Sequence, residues 1–359
     1  MSKVCKGCGV KLQHQNKDMI GYSPKEDAQY CQRCFRIQHY DDVVISMKQG
    51  IDSDVVLKKI ADKDALVLWV VDLFDFEANL VPGLNRHLLG KDILMVATKR
   101  DVLPDTLGNQ KLSQFLIARL KEQGIHIEGL IICGDLVKHA MAEDNYSIDE
   151  LERAITAYRK GRDVVVMGMA NAGKSTLLNA FLGRNDLTTS RYPGTTLDFV
   201  SIDMGAYTLY DTPGLTRHDS LLTQVDEAVL KTLLPTKRLK ARNYQLRNDQ
   251  SLAIGGLARL DVAGCVGVSC VGYFADALSI HRGKMEKADD LWKLHMGELL
   301  QPAMSKDFND MKCFEYPGIE GKLDVVIHGL GWFCISGHVE KVRIYVPKGV
   351  NVTFRKAMI

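Results

Sequence analysis

Two short motifs stand in an order that few folds accommodate. The segment Gly168-Met169-Ala170-Asn171-Ala172-Gly173-Lys174-Ser175 has the glycines, lysine and hydroxyl of a phosphate-binding loop. The tetrad Thr98-Lys99-Arg100-Asp101, of a kind that reads a purine base, comes about seventy residues before it. Nucleotide-binding domains of this kind ordinarily begin with the phosphate loop. A chain with the reverse order has to enter the same parallel sheet at a different strand. The expected fold class is therefore α/β, with a circularly permuted phosphate-loop domain.

The surroundings of each motif fit that expectation. Residues 65–71 and 92–97 are nearly continuous apolar runs, the pattern of strands buried on both faces. The second run delivers the tetrad at its C-terminal end, where open α/β sheets bind ligands. A further run, 163–167, leads directly into the phosphate loop. Behind the loop, Leu177, Leu178, Phe181 and Leu182 share one helical face, and Gly183 is placed to stop the helix.

The chemistry follows from the residue types. Gly168 and Gly173 allow the tight path that turns N–H groups onto phosphate oxygens, with Asn171 and Ala172 completing the loop. Lys174 is placed for the β- and γ-phosphates and Ser175, followed by Thr176, for Mg2+. Asp101 can accept from both guanine N1–H and the exocyclic amine, a donor pair that adenine lacks. Lys99 can lie along the base. Thr98 stands where such tetrads usually carry Asn, so weaker guanine binding is expected with specificity kept. Residues 131–135 occupy the position of the loop that backs the guanine, but without its usual Ser-Ala pair.

Downstream, Pro193-Gly194-Thr195-Thr196 has the form of a first switch, with Thr196, and Thr195 second, sensing Mg2+ and the γ-phosphate. Segments 199–204 and 206–210 read as a hairpin across Gly205, ending in Asp211-Thr212-Pro213-Gly214. There Asp211 would hold the Mg2+ shell and the Gly214 amide would meet the γ-phosphate. Many enzymes that hydrolyse GTP place a water-orienting Gln next, but this chain has Leu215. His218 reads as an exposed switch residue. The Asn171 side chain offers another route, ligating K+ against the phosphates. The expected catalytic group is Lys174, Asn171, Thr196 and Gly214, with slow basal turnover stimulated by K+.

Near the N-terminus, Cys5 and Cys8 form one Cys-x-x-Cys hook and Cys31 and Cys34 a second. Four thiolates suit a closed tetrahedral zinc site, structural in role. The other five cysteines, Cys133, Cys265, Cys270, Cys313 and Cys334, read as reduced core residues. No apolar run approaches the ~20 residues needed to span a bilayer. Cys5 lies close to Met1, so no leader is expected and a bacterial cytoplasmic protein is the simplest reading. The formal net charge of +2 makes any nucleic-acid surface a local one. The candidate is segment 231–247, with six basic residues and no acidic one. Beyond it, short strands, a helix over 286–300 with Leu291, Leu294 and Leu299 inward, and a hairpin of 342–347 with 350–355 describe an α+β module.

Cys5-Lys6-Gly7-Cys8, Cys31-Gln32-Arg33-Cys34-Phe35-Arg36, the permuted order and Leu252-Ala253-Ile254-Gly255-Gly256-Leu257-Ala258-Arg259 closely resemble the YqeH family of bacterial circularly permuted GTPases. The resemblance covers essentially the whole chain. It implies bound GTP or GDP, Mg2+ and Zn2+, GTP hydrolysis, and a role in assembling the small (30S) ribosomal subunit on 16S rRNA. The expected domains are a zinc module at 1–45, the permuted domain at 46–225 and an RNA- or partner-binding domain at 226–359. Two other classes remain open: an RNA-binding scaffold whose nucleotide site is structural, and a GTPase acting on tRNA.

Overall fold

A computed structural model describes residues 11–15, 22–29, 31–32, 53–134, 146–184, 199–215, 217–304 and 310–359. Cys5, Cys8, Cys34, Asp135, Thr195 and Thr196 lie outside the described residues. The chain divides into two compact units. The first comprises Met1–Asp72, Val81–Arg100 and Ala118–Thr216; the second comprises Leu73–Leu80, Asp101–Ile117 and Arg217–Ile359.

The first unit is built on six strands: β1 (Ala65–Asp72), β2 (Ile93–Thr98), β3 (Gly129–Ile132), β4 (Asp163–Gly168), β5 (Val200–Asp203) and β6 (Thr208–Asp211). Their spatial order is β3-β2-β1-β4-β6-β5, parallel throughout except for β5 against β6. Every residue of β1 and β2 is buried, which is why both are apolar without alternation. The chain runs outward from β1 to β3, returns to the centre as β4, and then fills the other side. The motif order is thus realised as a permuted sheet. It also creates a topological switch point between β1 and β4, the place where such sheets bind ligands. The helix Tyr146–Arg159 packs on β1, β3 and β4, and Lys174–Arg184 packs on β4. That second helix runs through Gly183 to Arg184, so Gly183 does not stop it, and Leu182 is only half-buried. The β5–β6 turn does use Gly205, at φ +74, with its amide held by Asp203 Oδ1 at 2.8 Å.

The second unit carries β7 (Arg242–Leu246), β8 (Gln250–Ile254), β9 (Ala258–Ala263), β10 (Val266–Phe274), β11 (Ile280–Lys284), β12 (Met311–Ile327), β13 (Gly331–Pro347) and β14 (Val352–Lys356). The path is β11-β8-β9-β13-β10-β7, with β12 along β13. One edge of β13 takes β10 along its first half and β9 along its second, while the other edge takes β12. The two end strands approach one another. Arg282 in β11 donates to the Gln245 carbonyl in β7 at 2.6 Å, and Arg242 in β7 donates to the carbonyls of Leu278 and, at 2.9 Å, Ala275. The sheet therefore curls upon itself.

Several expectations for this unit are corrected. Both edges of β13 are filled, so β14 pairs with β12 (Leu323↔Lys356 to Ile327↔Val352) and there is no hairpin of 342–347 with 350–355. The expected helix over 286–300 is a short turn followed by Ala288–His295. It ends before Gly297, at φ +84, whose left-handed backbone suits glycine. Its buried residues are Ala288 and Trp292; Trp292, Met296 just past the end and Leu300 pack with Ala253, and Leu291 is half-buried against them, as expected. Leu294 and Leu299 are 70% and 53% exposed. Of the five scattered cysteines, Cys313 is exposed, being on the outer half of β12; the other four are buried.

Candidate nucleotide-binding site

The C-terminal ends of β1, β2, β4 and β6 bring the motifs of the first unit together. Asp72 is in register with Thr98, and Val70 with Gly168, so β1 separates the base-reading tetrad from the phosphate loop. A Cβ on Gly168 would stand 2.6 Å from the Val70 carbonyl oxygen, so the strand-to-loop exit requires glycine. Gly173 is at φ +86 and faces the Thr98 side chain, with Thr98 Oγ1 3.3 Å from where its Cβ would be.

Thr98 is buried at 1% exposure and its hydroxyl lies 2.6 Å from the Ala172 carbonyl and 3.2 Å from that of Val71. With one proton to donate, it bonds chiefly to the phosphate loop. Its place in the tetrad is thus a tie between strand end and loop. Lys99 sits at φ +61 and sends its ammonium to Asp72 Oδ2 at 2.6 Å and to the Asn171 carbonyl at 3.0 Å. Asn171 is itself at φ +65, a conformation for which asparagine is enriched, so the backbone gives a reason for Asn at this position besides a cation. Ala172 is buried, Ser175 is exposed and Thr176 half-buried. Asp101 follows in a one-turn helix, Arg100–Val102, and is half-buried. The Arg100 amide donates to the Cys133 carbonyl at 3.0 Å, and the Cys133 amide to Ala97 at 2.7 Å. Cys133 is thereby fixed beside the tetrad, and burial, with the nearby Glu150 charge second, pushes its thiol up to about 12. It is an inert packing group.

On the other side, Lys174 bonds to Asp211 Oδ1 and to the Thr212 carbonyl. The phosphate-loop lysine and the carboxylate of the second switch thus meet at one point. Asp211 and Ser175 both carry oxygen donors, the kind that suit Mg2+. Leu215 is fully buried: its amide donates to Gly168 at 2.9 Å and its carbonyl accepts from Ala170 at 2.8 Å. This clasp holds Gly214 close to Ala170, with its Cβ position 3.1 Å from the Ala170 Cα. A buried Leu215 orients no water. His218 is exposed, as expected.

Asp72 and the Leu215 clasp were not singled out from the sequence. The signal for Asp72 was present: a charged residue ending an otherwise apolar strand at the ligand-binding edge. Of the four zinc candidates only Cys31 is described, and it is buried. Among the described residues no group of three or more His, Cys, Asp or Glu side chains converges, and no helix is long and apolar enough to cross a membrane.

The chain is similar to several known proteins. Residues 163–251 match the family model described as 50S ribosome-binding GTPase, and residues 268–358 match the one described as YqeH-like, C-terminal. The chain is 37% identical to YqeH of Bacillus subtilis over 99% of both chains. It is 25% identical to the NO-associated protein 1, chloroplastic/mitochondrial, of Arabidopsis thaliana, over 97% of this chain and 72% of that one. Among solved structures, GNP-bound YlqF of Thermotoga maritima matches at 18% identity with a TM-score of 0.29, covering 49% of this chain and 63% of that one.

Proposed function

Since the chain belongs to the YqeH family of circularly permuted GTPases, we propose that it is a slow GTP-hydrolysing switch acting in the bacterial cytoplasm on assembly of the small ribosomal subunit. In this reading it holds 16S rRNA or the subunit in the GTP state and releases it after hydrolysis. The observation that carries the proposal is where the chain leaves the nucleotide-binding unit. It passes into the second unit at Asp72/Leu73, at Arg100/Asp101 and at Thr216/Arg217. The first follows the end of β1, the second falls inside the tetrad, and the third lies two residues past Gly214. Each outgoing connection thus starts from a part of the nucleotide site.

The third connection is firmly held. Arg217 donates to both carboxylate oxygens of Asp219 at 2.7 and 2.5 Å and to the carbonyls of Glu77, Ala78 and Leu80 at 3.3, 3.3 and 2.9 Å. The basic segment 231–247 is equally structured. It ends in β7, Leu239 donates to Val102 at 2.8 Å, and Arg238 and Lys240 pair with Asp105 and, at 3.5 Å, Asp276. In this reading a shift of Gly214 toward a γ-phosphate would be passed along the chain to Arg217 and the second unit, with the basic segment moving as a structured piece rather than melting. Lys237 and Arg247 are exposed and are the cations we assign to phosphate contact.

Within the site, the loop amides and Lys174 bind the phosphates, Gly214 senses the terminal one, and Asp101 and Lys99 select guanine. Ser175, Asp211 and Thr196 would hold Mg2+, which when bound neutralises charge developing on the phosphate oxygens. With Leu215 buried, hydrolysis is expected to be slow unless Asn171 recruits K+. Cys5, Cys8, Cys31 and Cys34 would form a structural zinc module.

The test is sedimentation with purified small and large ribosomal subunits, comparing GDP with a non-hydrolysable GTP analogue in K+ buffer. Binding to the small subunit with the analogue alone is expected. Binding to the large subunit only, or equal binding with both nucleotides, overturns the proposal, because a ligand without differential affinity shifts nothing. The K+ site is tested separately: hydrolysis should be faster in KCl than in NaCl, and Asn171→Ala should abolish the difference.

A further inference from the structure

We infer that Asp72 is a positioning residue for guanine nucleotide, acting through Lys99 to lock the base-reading tetrad onto the phosphate loop. The inference rests on the tetrad reading above. Asp72 ends β1, the strand that lies between the tetrad strand and the phosphate-loop strand, and its side chain is 5% exposed. Its Oδ2 accepts from Lys99 Nζ at 2.6 Å, and the same ammonium donates to the Asn171 carbonyl at 3.0 Å. The lysine head is thus fixed on one side by a buried carboxylate and on the other by the phosphate loop itself.

The backbone makes this fixing necessary. Lys99 and Asn171, the two residues the ammonium joins, both stand at positive φ, +61 and +65, where L-residues are disfavoured. Such conformations persist only where surrounding contacts over-determine them. Here the contacts are the Asp72–Lys99–Asn171 chain and, beside it, Thr98 bonded to Ala172. With its head immobilised, the aliphatic stem of Lys99 is held straight before a base arrives, and the rotamer entropy of a long side chain is not lost on binding. Electrostatics adds a second role. A carboxylate next to a polyphosphate site repels its ligand unless neutralised, and Lys99 is the neutralising group. Asp72 therefore helps binding only while Lys99 is present and opposes it when Lys99 is gone.

That reversal is the test. Dissociation constants of GDP and of a non-hydrolysable GTP analogue would be measured with fluorescent nucleotides for wild type, Asp72→Asn, Lys99→Met and the double variant. Asp72→Asn removes one charge-assisted hydrogen bond from a partly exposed lysine and should weaken both nucleotides about tenfold, by the same factor. In the Lys99→Met background the same change should leave affinity unchanged or restore part of it. A double variant weaker than Lys99→Met by the full factor that Asp72→Asn costs alone overturns the inference, as does an Asp72→Asn affinity equal to wild type. Asp72→Ser, which brings no amide to satisfy, should repeat both results and guards against a misfolded amide variant. A wild-type chain that does not prefer guanine over adenine nucleotides would instead remove the tetrad reading on which the inference rests.

Discussion

The two units use buried charge in opposite ways. In the nucleotide-binding unit, charged side chains meet at strand ends and remain partly open: Lys174 and Asp211 are 11% and 28% exposed, Lys99 27%. These are groups that can exchange one another for a ligand. In the second unit one cluster of charges is sealed. Arg355 bonds to Glu77 at 3.0 Å and to Asp324 at 3.4 Å with all three side chains at most 3% exposed, and Asp324 also accepts from the Met358 amide at 3.0 Å. Gly329 donates to Asp75 at 2.8 Å nearby. Glu77 and Arg355 are 278 residues apart in sequence. Accessible pairs serve binding; sealed pairs between remote segments fix how the chain closes.

The comparison is broken most directly at Arg355. Arg355→Met strands two carboxylates in the interior and should cost about 3–5 kcal/mol of stability. Urea unfolding followed by tryptophan fluorescence reads it, Trp292 and Trp332 both being buried in this unit. Adding Glu77→Gln and Asp324→Asn should recover most of the loss, since an uncharged, filled cluster is often as stable as the ionic one. A loss below about 1 kcal/mol for Arg355→Met would show that the network is not what closes the unit. Lys174→Met supplies the contrast: stability should change by no more than about 1 kcal/mol, the range of accessible pairs, while nucleotide binding is lost.

This difference also decides how much was legible in the sequence. The permuted sheet follows from segments that carry their own information: an apolar run long enough for one strand, then a motif fixed to its end. Ala65–Asp72 and Ile93–Thr98 needed no distant partner to be recognised. The second unit gives no such local instruction. Residues 350–355 alternate like a hairpin partner for 342–347, yet they pair with β12, because β9 and β12 already occupy both edges of β13. Sheet pairing is settled by competition among remote strands, and one strand's pattern does not record the outcome. Within the site, the motif residues were legible as types, but their mutual bonds were not. Thr98 reads as a replacement for Asn that weakens guanine binding, and its bond to the Ala172 carbonyl is not visible in the sequence.

A smaller effect is expected from pH. His328 is 2% exposed, with Nε2 2.9 Å from Thr353 Oγ1 and Nδ1 3.9 Å from Asp219. Burial, reinforced by the Arg217 charge, lowers its pKa from 6.5 to about 4. Between those values the unfolded chain binds a proton that the folded chain does not. Stability therefore falls as the pH drops through this window, by about 2 kcal/mol between pH 7 and pH 5. His328→Gln should remove that part of the slope. An unchanged slope in the variant would mean that other groups carry the acid sensitivity and that the sealed cluster tolerates a charged imidazole.

The smallest expected change sharpens the same contrast at the helix Ala288–His295. An amphipathic pattern over 286–300 places Leu291, Leu294 and Leu299 inward, and a helix continued past His295 would bury Leu299 with its neighbours. The chain instead turns at Gly297, and Leu300 donates back to the His295 carbonyl at 3.0 Å. The turn puts Leu300 rather than Leu299 against Trp292 and Ala253, while Leu294 falls on the face opposite the tryptophan. Leu294→Ser and Leu299→Ser should accordingly each shift stability by no more than about 0.5 kcal/mol in the same urea assay, as surface changes do. A loss of 2 kcal/mol or more at either position, the size expected of a truncated core leucine, would restore the continuous helix and its inward leucines. One glycine, by setting the turn that ends the helix at His295 instead of near Leu300, thus reassigns which leucines form the core, a decision made by backbone conformation that hydrophobic periodicity alone does not register.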